Sequence, residues 1–318
     1  MYRAIVACSC TLLTMLVPLR PCIADSTTIR GVRVWSCSDV SEYISAEGNR
    51  VYLTFPGTPR WELEGSAQDY CPMPVDLVED ALRAIDYPID DLEIEVLILP
   101  VPRSHVPESS AEARVVFLSP GRLPYPDPHV HYVVAHEIGH VVQHLLMPKS
   151  RPDLWETYMA LRGLPSEAAE GSGEHAWRPA EIFAEDFRIL FGDDLARCGG
   201  NVENHEIAGP EQVGGLREFI QSLPDQWDGR VRINAYPNPF ESDVVVEAFT
   251  LGTQRCPIEA AVLDVQGKML RDLNSPADVS TYLVWDGCDR QGREVAPGVY
   301  FIVVRAGNAS AIHKLIKR

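Results

Sequence analysis

The sequence predicts an α+β unit followed by a smaller all-β sandwich, and three observations carry that expectation. Its 318 residues exceed the size of one ordinary domain. Between about Leu92 and Phe191, two apolar strand-like runs precede long segments of helical periodicity. Beyond about Leu223 the runs become short and β-rich, punctuated by turn dipeptides. Apolar residues make up 46% of the chain, which suits packed cores rather than disorder. A formal net charge of −17, with no basic patch, argues against nucleic-acid binding.

Residues 1–24 read as an export signal. Arg3 supplies the positive start, Ala4–Leu19 the apolar run, and Cys22, Ile23 and Ala24 a cleavage site after Ala24. The run is too short for a membrane span, so none is expected in the mature chain, which is read as secreted or held at the cell surface. A lipid anchor at Cys22 is the alternative, for which Arg20 and Pro21 are poor neighbours. Export removes Cys8, Cys10 and Cys22 and leaves Cys37, Cys71, Cys198, Cys256 and Cys288. In an oxidising compartment these are disulfide candidates, with Cys37–Cys71 and Cys256–Cys288 the preferred pairs.

The first domain is expected over residues 25–225. Gly31–Trp35 and Arg50–Phe55 have strand character, Pro74–Ile85 reads as a short amphipathic helix, and Leu92–Leu99 as a buried strand. Pro100–Ser110 is a proline-rich loop, and Ala113–Ser119 is the next strand. A long helix should run over Pro128–Met147 with Asp127 as N-cap, and Pro148 stops it. Arg151–Leu164 is read as helical and Pro165–Gly173 as loop. Pro179–Phe191 is a further helix, with Gly192 a left-handed stop. The second domain, residues 231–318, holds strands at Val244–Phe249, Ile258–Val265, Tyr282–Trp285 and Val299–Val304. The boundary is expected between Leu223 and Arg232.

His136, Glu137, Ile138, Gly139 and His140 carry the chemistry. Histidines four apart on a helix lie one above the other, so both imidazoles can reach one metal ion. Glu137 then stands beside the metal, placed to accept a proton from water that zinc has acidified to a pKa of about 7. The flanks Val133, Val134, Ala135, Val141 and Val142 make this a mostly buried helix, where such polar groups need partners. A third ligand is required, and the candidates are His144, His175, Glu181, Glu185, Asp186 and His205. His144 lies on the same helix and diverges from a common metal. Glu181 and Glu185 share a helix face beside the apolar stripe of Phe183, Phe187 and Leu190. One of them could bind metal while the other hydrogen-bonds a ligand histidine; a solvated acidic face is the plain alternative.

The His136–His140 motif, followed by Ala180, Glu181, Ala184 and Glu185, resembles the gluzincin metallopeptidases, most closely the family of the anthrax lethal factor catalytic domain. The resemblance covers the two helices and implies a zincin-like catalytic domain that hydrolyses protein or peptide substrates. It also implies that His136, His140 and Glu181 bind zinc, that Glu137 is the base, and that Glu185 supports a ligand. The family's oxyanion-binding tyrosine falls here at Glu174, so the neighbouring His175 is the candidate donor. In zincins the strand before the metal helix lies at a sheet edge and takes substrate as an added strand; Ala113–Ser119 stands for that role, with core packing as the alternative.

Tyr236–Phe240, Val262–Gly267, Trp285–Gly292 and Ala296–Phe301 resemble the immunoglobulin-like sorting domains of the type IX secretion system and the similar domain of the flagellar hook-capping protein. That likeness implies type IX secretion machinery as a partner. Asp286 and Asp289 there read as turn residues rather than calcium ligands. Two other functions stand beside a secreted zinc peptidase: a catalytically silent zincin-scaffold surface binding protein, and a zinc hydrolase of a non-peptide amide.

Overall fold

The computed structural model describes residues 26–56, 58–148, 151–164, 175–198, 204–226, 231–249, 258–273, 282–306 and 309–318. The export signal, Glu174 and Cys256 lie outside them.

The chain opens with a hairpin of β1 (Thr27–Ile29) and β2 (Val32–Trp35), joined by Arg30 and Gly31, both at positive φ. Two left-handed residues in a two-residue loop fit the right-handed twist of the strands. A side chain at Gly31 would strike the Asp90 carbonyl. After α1 (Cys37–Ser41), capped by Ser36, come β3 (Ile44–Glu47), β4 (Arg50–Leu53) and β5 (Trp61–Leu63), a small antiparallel sheet. Next follow α2 (Val75–Ala84), β6 (Glu95–Ile98), β7 (Ser110–Glu112) and β8 (Val115–Leu118). The main sheet has the order β1-β2-β6-β8-β7, parallel at its centre and antiparallel at both edges.

Alternation explains how this sheet is covered. Val96, Ile98, Val116 and Leu118 join the core under the helices, while Leu97, Leu99, Val115 and Phe117 pack with Trp35, Leu53 and Leu63 on the other side. A strand buried on both faces must be apolar throughout, as Val96–Leu99 is. The helices are α3 (Asp127–Leu146), α4 (Pro152–Arg162), α5 (Pro179–Phe191), α6 (Asp194–Cys198) and α7 (Leu216–Ser222).

Several local expectations change. Asp127 is the first helical residue, with Pro126 at the cap, because two prolines fix the chain's entry. Gly192 is extended, not left-handed. β8 is an inner strand; the end of the proline-rich loop returns as β7 and takes the edge. Cys37 and Cys71 do not pair. Both are free, and Cys37 Sγ donates to the Ile98 carbonyl at 3.2 Å, inside the fold rather than toward a second thiol.

The C-terminal region is β-rich: β9 (Arg232–Tyr236), β10 (Val244–Phe249), β11 (Ile258–Leu263), β12 (Met269–Asp272), β13 (Tyr282–Trp285), β14 (Gly298–Ala306) and β15 (Ala309–Lys317). They form sheets β13-β10-β9 and β12-β11-β14-β15, packed around Phe240, Val246, Trp285, Ile302 and Leu315. Asp286 and Asp289 accept backbone N–H groups of Cys288, Gln291 and Arg293, which is turn chemistry.

Candidate metal centre

α3 and α5 cross closely enough to bring their polar faces together. A methyl group at Gly139 would lie 2.9 Å from the Ala184 Cα and 3.0 Å from the Phe187 Cβ, so the contact requires glycine on α3. Through that contact His136 Nε2 and His140 Nε2 reach the same atom, Glu181 Oε2, at 3.5 and 3.1 Å. Among the described residues His136, His140 and Glu181 form a three-donor group with all ligand atoms within 4.8 Å of one another. Zinc bonds of about 2.0–2.1 Å place tetrahedral ligand atoms roughly 3.3 Å apart, which matches both separations. The donor set could therefore hold such an ion. Burial would raise the Glu181 carboxyl, but hydrogen bonds from His136 and His140 outweigh it and hold the group well below the usual range.

Glu137, one residue from His136, is buried, and its Oε2 has no hydrogen-bond partner among the described residues. Desolvation raises its pKa, against the pull of His140 and His136. A buried carboxylate oxygen without a partner is costly unless a ligand or water completes it.

Glu185, one turn along α5, lies behind His136. Its Oε1 accepts from Tyr132 at 3.2 Å and lies 3.8 Å from His136 Nδ1. Its Oε2 is gripped by Arg188, which is itself held by the Ala196 carbonyl and lies over the Tyr132 ring. Tyr132 stacks on His136 with planes 18° apart. Sequence reasoning did not single out Tyr132 or Arg188. Tyr132 lies four residues before His136, and Arg188 three after Glu185, so helical spacing held the signal.

The other candidates do not join the three-donor group. His175 sits half-exposed on a short 3₁₀ turn, with Nε2 3.4 Å from the second Glu181 oxygen. His144 turns to the C-terminal region, where its Nε2 meets Glu247 Oε2 at 2.8 Å. Asp186 is ion-paired to Arg162 at 3.0 Å and accepts from the Tyr158 hydroxyl at 2.7 Å. His205 and Asp186 line a cavity of about 210 Å³ beside α5, with Glu181 and Ile182 on its wall.

Residues 234–318 match the family described as the secretion system C-terminal sorting domain. No curated protein matches the chain. Among solved structures it is similar to PorZ of Porphyromonas gingivalis, an essential bacterial surface component of the type IX secretion system. That match has 24% identity, covers 27% of this chain and 11% of that one, and has a TM-score of 0.22. It is also similar to dimeric latent PorU from the same organism, with 17% identity over 27% of this chain and 9% of that one, TM-score 0.23. The chain thus spans about a tenth of the length of either. The sorting domain makes this an exported protein, secreted or held at the cell surface, and points to the type IX secretion machinery as its partner. Among the described residues no helix is long and apolar enough to cross a membrane.

Proposed function

We propose that the first domain is a zinc-dependent peptidase of the zincin type, with His136, His140 and Glu181 as ligands and Glu137 as general base. The observation that carries this reading is the convergence of both imidazoles on Glu181 Oε2, next to a buried glutamate with an unpartnered oxygen. The sheet supports it too. β7 is an antiparallel edge strand beside α3, suited to pairing with an extended peptide.

A zinc ion held there would supply Lewis acidity and lower the pKa of a water molecule. The chain's own residues do the rest. Glu137 Oε2 accepts the proton from water and passes it to the leaving amine. Glu185, braced by Tyr132 and Arg188, stands 3.8 Å from His136 Nδ1, while the stacked Tyr132 ring sets the plane of the imidazole. His175, with Nε2 3.4 Å from Glu181 Oε1, would donate a hydrogen bond to developing negative charge on the substrate carbonyl.

Replacing Glu137 with Gln keeps the shape and removes the proton acceptor. Hydrolysis of a mixed peptide library should fall at least about 100-fold while zinc content is unchanged. Wild-type turnover in the purified variant would remove Glu137 from the mechanism. If peptides are untouched but small amides are cleaved, the non-peptide hydrolase is the better reading.

A further inference from the structure

We propose that the C-terminal domain docks on the substrate-binding side of the metal centre and keeps peptides out until it undocks. This rests on the peptidase reading above. His136, His140 and His144 are spaced four apart on α3, so they line one helix face. His144 therefore stands about 6 Å along the helix axis from His140. At that position it meets the second domain: Glu247 Oε2 lies 2.8 Å from His144 Nε2, and Asn234 Nδ2 3.2 Å from the same nitrogen.

The docked surface can be read from strand alternation. Along β10, Val244, Val246 and Ala248 point into the domain's own core. Val245 and Glu247 point the other way and are only 6% and 0% exposed, Glu247 being met there by His144 of α3. Tyr236 pairs with Val245 across the β9–β10 ladder and completes this face. Together with Trp61, Ala111, Glu112 and His144 it lines a cleft of about 430 Å³ against the edge strand β7. A peptide added to β7 and led toward the histidines would meet Tyr236 and Glu247. The contact at His144 is polar: a buried glutamate, an asparagine and a histidine, with Glu247 Oε1 lacking a hydrogen-bond partner among the described residues. Such a contact can release in a way a continuous apolar core cannot.

The test uses zinc-loaded full-length protein and Val245→Asp, which puts a charge into the seam without touching the metal ligands. A second form carries a specific protease site in place of residues 227–230 and is cut after folding, with the released domain washed away. Backbone hydrogen exchange at Ser110–Glu112 and Val141–Met147 should rise at least tenfold in both. Binding of a fluorescent peptide hydroxamate, a zinc-chelating probe that needs no turnover, should tighten at least tenfold. Unchanged exchange overturns the docking. Faster exchange with equal binding, or with no binding in any form, overturns the gating. Tighter binding without hydrolysis by any form upholds the gating and removes the peptidase reading alone.

Discussion

The division of labour between Glu181 and Glu185 is decided by which atom faces which. Glu181 Oε2 is within 3.5 Å of both imidazole Nε2 atoms, whereas Glu185 touches Tyr132, Arg188 and the rear of His136. Glu181→Ala should therefore lose zinc outright. Glu185→Ala should keep it at high zinc with about 10–100-fold weaker affinity or activity. Side-by-side metal titrations check this, and a reversal of the two results would exchange the roles. A pH effect belongs to Asp186. Burial pushes its pKa up to about 7, against the pull of Arg162 and the Tyr158 hydroxyl. An unfolded aspartate titrates near about 3.9, so between those values the folded state holds more protons and stability falls as pH rises. Denaturation midpoints of wild type should decline from about pH 4 to 7, and Asp186→Asn should flatten that slope. An equal slope in both would assign the effect elsewhere.

At the scale of elements, the site depends on how closely α3 and α5 approach. Gly139 lies between the two histidines and faces Ala184 and Phe187, so its role is to admit the second helix. Gly139→Ala should destabilise the first domain by about 1–3 kcal/mol through overpacking, although alanine is the better helix former. The same shift would carry Glu181 away from the histidines, so zinc affinity should fall with stability; unchanged values of both would show that the helices have slack. Much of this was legible in the sequence. The helix pair and the central strands follow from periodicity, and His136 and His140 from their spacing, whereas Glu181 was set apart from Glu185 only by what the family resemblance implies. The edge strand was not legible, because Ser110, Ala111 and Glu112 carry no strand-forming residue after a proline-rich stretch, and their pairing with β8 is set by tertiary closure. The missing Cys37–Cys71 bridge has a similar cause: which thiols meet is a matter of the whole fold.

Across the whole molecule, one part is addressed to export and the other carries the His136, His140 and Glu181 group proposed to hold zinc. Deleting residues 231–318 should leave the chain inside the cell envelope, which fractionation would detect; normal surface display would show that another segment sorts it. The contact between the parts was hidden in the sequence, since His144 and Glu247 are 103 residues apart and strand alternation alone gives no partner for an outward face. The central claim is the metal itself. Elemental analysis of full-length protein, purified without added metal, should find about one zinc per chain. His136→Ala and His140→Ala should lose it, and His144→Ala, whose ring is turned to Glu247, should keep it. Protein that folds without zinc and takes up none on titration, or histidine variants that retain it, would contradict the account.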